Sequence, residues 1–224
     1  MIRADGLHRS FGGRSVLTEV TFDVAPGEVV GLLGPNGAGK TTAIRLLLGL
    51  LRPHQGTVRV DGPVGWLPER FAPYDGLTTA GYLRFMARAK RAPAEDVDWA
   101  METAGVADLA RRPVGRLSKG QRQRLGLAQA LLGRPPAYLL DEATTSLDPA
   151  QVVEARGVIR RLASDEGASV LVSTHVLAEA AAICDRVVVL AAGRVVGTEA
   201  VTDASTLESR FLHLVGAAEL GKGP

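Results

Sequence analysis

Gly34-Pro35-Asn36-Gly37-Ala38-Gly39-Lys40-Thr41 is the stretch that decides the fold. It reads as glycine, four residues, then Gly-Lys-Thr, the spacing of a phosphate-binding P-loop. Just before it, Glu28 to Leu33 is an apolar run of strand length. Just after it, Lys40 to Leu51 reads as a helix, stopped by Pro53. Ile44, Leu46, Leu47, Leu48, Leu50 and Leu51 make that helix apolar nearly all round, which predicts burial. The loop therefore sits between a buried strand and a buried helix. Glycines let its backbone curl so that successive N–H groups face phosphate oxygens. The helix start adds partial positive charge. Lys40 offers a full charge to the outer phosphates, and Thr41 a hydroxyl to Mg²⁺.

Outward from the loop, strand-length apolar runs alternate with longer helical patterns. That alternation predicts an α/β fold, a P-loop NTPase core with a mainly parallel sheet. The pieces before the core read as an antiparallel β portion. Thr57 to Val60 followed by Asp61-Gly62 is a hairpin signal. Residues from about 78 to 130 read as mostly helical, broken by Pro93 and Pro113, and are expected to form an inserted helical subdomain. Within them Arg84, Arg88, Lys90 and Arg91 form a basic stretch, either a solvated helix face or a surface for lipid headgroups or a membrane partner. Past Arg134-Pro135-Pro136 the core strands resume at Ala137 to Leu140, Ser169 to Ser173 and Arg186 to Leu190. Asp148 is an N-cap candidate with Pro149 at the first helical position. Ser205 and Glu208 have capping-box spacing, which predicts a short C-terminal helix over about 204–216. No repeat or low-complexity tract interrupts the chain, and residues 1–224 read as one domain.

Composition fits this reading and narrows it. The 224 residues are 46% hydrophobic, enough for one ordinary core. Net charge is only +2, from 26 basic and 24 acidic residues, so a nucleic-acid partner is not expected. Cys184 is the single cysteine, so no internal disulfide can form. Its setting, Ala180 to Ile183, predicts a buried structural thiol. No leader segment is legible, and no apolar run approaches the roughly 18 residues of a membrane span. The expectation is a soluble chain whose membrane part, if it serves a membrane process, lies on another polypeptide.

A second element carries chemistry. Ala137-Tyr138-Leu139-Leu140-Asp141-Glu142 is an apolar strand ending in two acids. Buried carboxylates are costly unless paired or metal-bound. At a strand's carboxyl end facing a phosphate loop, Asp141 suits Mg²⁺ coordination, through water. Glu142 is then placed to polarise an attacking water as general base.

With these motifs in hand, Leu117-Ser118-Lys119-Gly120-Gln121 resembles the signature sequence of ABC transporter ATP-binding subunits, usually Leu-Ser-Gly-Gly-Gln. It precedes a helical run, Arg122 to Leu132, and then the acidic strand, in the order the family requires. Ser118 is placed to cap that helix, and Gly120 to allow close approach to a phosphate. Thr145-Ser146-Leu147-Asp148 resembles the D-loop, and Ser173-Thr174-His175 the switch-histidine motif. Phe11 resembles the aromatic that stacks on adenine. The resemblance covers about Ile2 to Gly197.

The resemblance implies an ATP hydrolase acting with Mg²⁺. In it Val16 and Gly34 to Thr42 hold nucleotide, Thr41, Glu69 and Asp141 serve the metal, and Glu142 and His175 serve hydrolysis. It implies a head-to-tail dimer with a second copy or a sister subunit. There Ser118, Lys119, Gly120, Gln121 and Asp148 of one copy would close over ATP on the other. It further implies a separate integral-membrane permease, met by the segment from Glu69 to Leu77, and a place on the inner face of the cell membrane. The run from Ser118 to Gln129 looks most like exporters with a separate permease chain. A soluble ABC ATPase acting on ribosomes or DNA, or a regulatory nucleotide switch, stands as the alternative. Three positions depart from the family pattern. Glu69 replaces the Q-loop glutamine, Lys119 a signature glycine, and Ala143 the proline common after the catalytic glutamate.

Overall fold

The computed structural model describes residues 1–220. β1 (Ile2–Phe11) and β2 (Arg14–Val24) pair antiparallel. The chain then runs through β3 (Val29–Leu33), the loop, and helix α1 (Lys40–Leu47), and returns as β4 (Gln55–Val60) on the free edge of β1. These outer strands alternate between inward apolar and outward polar residues, as one solvated sheet face demands. β3 is different: all five residues are buried, because it lies mid-sheet with helices or strands covering both faces.

The second sheet has six strands. β5 (Val64–Leu67), β6 (Ala137–Asp141), β7 (Ser169–Thr174) and β8 (Arg186–Ala191) run parallel with β3, and β9 (Arg194–Ala200) closes one edge antiparallel to β8. The order is β5-β6-β7-β3-β8-β9. Register sets Leu33 beside Thr174 and Asp141 beside Ser173. The loop, the acidic pair and His175 therefore leave the sheet at the same carboxyl edge, where open α/β sheets bind ligands.

Among the described residues six further α-helices accompany α1: α2 (Thr79–Lys90), α3 (Asp96–Thr103), α4 (Lys119–Leu131), α5 (Pro149–Ser164), α6 (Leu177–Ile183) and α7 (Ala204–Leu220). Two apolar clusters sit on opposite faces of the parallel sheet. Val30, Leu32, Leu139, Leu171 and Val188 pack toward α1 and the antiparallel sheet, whereas Val29, Tyr138, Leu140, Val170 and Val172 pack toward α4 and α5. Cys184 is buried against the Gly31 backbone, and burial pushes its thiol up to about 12.

Four sequence expectations need correction. α1 ends at Leu47, four residues early, because Gly49 takes a left-handed φ of 70° that closes the helix. Leu50, expected in the buried helix, is 56% exposed. The Asp61-Gly62 turn makes no hairpin, since β4 joins β1 in one sheet and β5 joins β6 in the other. The last helix is longer than expected, reaching Leu220. Its first turn is held by Asp203, whose carboxylate accepts from the Thr206 N–H at 2.8 Å, and not by Ser205. Among the described residues, no helix is long and apolar enough to cross a membrane.

Candidate active site

A cavity of about 420 Å³ opens where the loop faces the strand ends. Val16, Asn36 to Thr42, Glu69, Asp141, Glu142, Thr145 and His175 line it. Its floor is the start of α1. Gly39 precedes the helix at a φ of 111°, a region closed to residues with a side chain, and no side chain caps the helix. The first N–H groups of α1 are therefore left for a ligand, which makes an anion site.

Lys40 is buried, and its Nζ donates to the carbonyls of Gly34 at 2.6 Å and Pro35 at 3.2 Å. Gly34 and Pro35 thus act on the cavity through Lys40 and do not line it. Burial lowers the Lys40 pKa, while the carboxylates of Glu142, Asp141 and Glu69 oppose that shift. Opposite it, Asp141 is also buried, and burial raises its pKa. The Ser173 hydroxyl donates to one Asp141 oxygen, and Thr41 Oγ1 donates to the other at 3.1 Å. A hydroxyl and a carboxylate already in contact form the hard oxygen set that suits Mg²⁺, an ion that keeps waters and substrate phosphates as its other ligands.

Glu142 is held at every polar point. Its backbone is left-handed with φ 54°, rare for a residue with a side chain. Its N–H donates to Ser173 O at 3.1 Å. One carboxylate oxygen lies 2.8 Å from His175 Nδ1, and the other accepts from Thr145 Oγ1 at 3.2 Å. Glu142 is buried while the His175 side chain is 47% exposed, so the pair spans the cavity from wall to mouth. A carboxylate fixed beside a phosphate loop can accept a proton from water.

Other expected residues stand apart from this cavity. Phe11, 44% exposed on β1, does not line it; the Arg9 guanidinium covers one face of its ring at 4.7 Å. Ser118, Lys119, Gly120 and Gln121 also lie outside it. Ser118 Oγ accepts from the Gln121 N–H at 3.2 Å, and Gln121 Oε1 accepts from the Ser118 N–H at 3.0 Å, a complete capping box on α4. Gly120 is buried against its own chain: a Cβ there would come within 3.0 Å of Ser146 O and of Gln151 Oε1. Asp148 caps α5, accepting from the Gln151 N–H at 2.9 Å. Lys119 shares a neighbouring cleft with Glu69, Gln123, Thr145 and Ser146.

Three contributors escaped sequence reading as site residues. Thr145 and Ser173 were visible only as motif letters, not as partners of the two carboxylates. Gln123 looked like one polar residue among many in a helix, yet it is buried beneath Glu142.

The family model described as ABC transporter matches residues 17–145. The uncharacterised ABC transporter ATP-binding protein YdbJ of Bacillus subtilis is 37% identical over 93% of this chain and 74% of its own. The zinc import ATP-binding protein ZnuC of Roseobacter denitrificans is 39% identical over 85% and 75%. The solved ATP-binding subunit of an ABC transporter superimposes with a TM-score of 0.85 at 27% identity, covering 94% of this chain and 99% of that one. A bacterial ABC transporter cassette solved as a dimer has a TM-score of 0.84 at 23% identity, over 90% and 99%, and shares the fold. The chain belongs to the ABC transporter ATP-binding family. It is an ATP-binding, ATP-hydrolysing subunit of that class.

Proposed function

We propose that this chain powers an ABC exporter by closing head-to-tail on a second copy, or on a sister subunit, around ATP. The observation that carries the reading is the separation of two helix starts. The start of α1 opens into the cavity, while the signature residues at the start of α4 stand outside it, with Ser118 and Lys119 exposed toward a second chain. The catalytic site of one chain is on this reading incomplete until Ser118, Lys119, Gly120, Gln121 and Asp148 of the other copy arrive.

ATP binds with its phosphates on the backbone of Asn36 to Thr42, where Gly34 and Pro35 act through Lys40, and the base toward Phe11 and Val16. Lys40 leaves the Gly34 and Pro35 carbonyls for the outer phosphates. Thr41, Asp141 and Glu69 would hold Mg²⁺, which would supply charge neutralisation to the phosphates. Glu142 takes a proton from the attacking water, and His175 orients the Glu142 carboxylate and meets the γ-phosphate. Positioning and charge stabilisation do most of the work, as phosphoryl transfer requires.

The chain works on the inner face of the membrane, where the segment from Glu69 to Leu77 meets a separate permease. Tyr74 is 62% exposed there and stacks edge-on to Phe85 of α2, an apolar contact surface beside the site. Export rests on the run from Ser118 to Gln129. ATP-driven uptake into inside-out vesicles carrying the chain and its permease supports that direction, and uptake into right-side-out vesicles overturns it. Hydrolysis is tested with Glu142→Gln. Turnover should drop about 100-fold or more, and unchanged turnover would remove Glu142 from its role.

A further inference from the structure

Gln123 lies on α4, the helix that begins with the signature residues, and is 9% exposed. Its amide Nε2 donates to Glu142 O at 3.1 Å and to Ala143 O at 3.3 Å. These are consecutive carbonyls of the peptide that carries the left-handed Glu142. Such a backbone persists only where its surroundings over-determine it. From the sheet side Ser173 O receives the Glu142 N–H. From the helical side the Gln123 amide adds a restraint from another element, beside the local Thr145 N–H that also donates to Glu142 O.

The residue type fits the task. A terminal amide carries two N–H donors, enough for two adjacent acceptors. Both carbonyls belong to buried residues; Glu142 O also accepts from the Thr145 N–H at 3.1 Å, so losing the amide strips the Ala143 carbonyl of its donor and leaves Glu142 O with one. One position earlier, Arg122 reaches the other way. Its Nη1 meets Asp75 Oδ1 at 3.0 Å and its Nη2 donates to Gly115 O at 3.2 Å. The beginning of α4 is thereby pinned outward to the loop before α2 and inward to the acidic pair.

We propose that Gln123 is a positioning residue for hydrolysis: it holds the Glu142–Ala143 peptide so that the Glu142 carboxylate points into the cavity. This makes the placement of α4, whose start serves the other copy's ATP, a determinant of where this copy's own base sits. The proposal rests on Glu142 acting as the base.

The test uses the purified full chain with MgATP, single-turnover conversion followed for hours, and three variants. Gln123→Met removes the donors at similar volume, Gln123→Glu keeps the shape but turns acceptors toward the two carbonyls, and Glu142→Gln reports on the base itself. Both Gln123 variants should lose about 100-fold in the rate of ATP conversion, the scale of a misplaced catalytic group. ATP affinity should stay within about twofold, because the interaction lost matters only at the chemical step. A folded Gln123→Glu or Gln123→Met that converts ATP at the wild-type rate overturns the proposal. So does a variant that loses ATP affinity and thermal midpoint with an unchanged rate, since that is a packing role only. If Glu142→Gln itself converts ATP normally, the base assignment fails first, and that failure is seen independently of Gln123.

Discussion

α1 and α4 both pack a face into the core, yet they begin in opposite ways. α1 starts from Gly39 with no side-chain cap, and its first N–H groups are offered to the cavity. α4 starts from Ser118 with a full capping box, which spends two backbone and side-chain acceptor–donor pairs on itself. An uncapped start leaves its first N–H groups to water or to an anion, whereas a capped start satisfies them from its own chain. The difference teaches a division of labour. On the proposed reading the first helix binds nucleotide in the lone chain, and the second adds a weaker, conditional contact when another copy docks.

That division can be broken first at Lys40. Lys40→Ala removes the buried charge at the start of α1 and should cut ATP turnover about 100- to 1,000-fold, with ATP binding weakened in calorimetry. Wild-type binding by that variant would deny α1 its role. Gly39→Ala attacks the geometry instead. A Cβ there would lie 2.5 Å from Leu17 Cδ2, at a φ of 111°. Denaturant unfolding should show a loss of about 1–3 kcal/mol, together with weaker ATP binding.

The α4 start should be less sensitive on its own. Ser118→Ala removes half the capping box and should cost about 1 kcal/mol in denaturant unfolding, while weakening ATP-dependent pairing. A loss as large as that of Gly39→Ala would mean the two helix starts are not different in kind. The smallest effect is expected at Cys184, under neither helix start. With its thiol pushed up to about 12, alkylating reagents at neutral pH should label it only after unfolding. Its neutral form is favoured in the folded chain, so its effect on stability is nil at neutral pH. Stability falls as pH rises from 9, its ordinary value, toward 12.

Local grammar made the loop, the acidic strand and the caps at Ser118 and Asp148 legible, because each needs only neighbours within four residues. Readings failed where the deciding contact was distant. Asp61-Gly62 reads as a hairpin turn, but nothing nearby says that β4 pairs with β1 and β5 with β6. The leucines from 46 to 51 suggest one long helix, and Gly49 ends it first. At the C-terminal helix Ser205 reads as the cap from its spacing to Glu208, but Asp203 holds the Thr206 N–H. Gln123 was invisible as a site residue because its partners lie 19 and 20 residues further on. The bracing of Asp141 by Ser173 likewise depends on strand register, which the sequence does not spell out.

The central claim is that the two helix starts meet across two copies with ATP between them. Light scattering of Glu142→Gln, with and without ATP, tests it most directly. The account predicts a monomer that becomes a dimer only when ATP is added, and that stays a monomer when Ser118→Arg is introduced as well. A dimer that forms without ATP, or that survives Ser118→Arg, would contradict it.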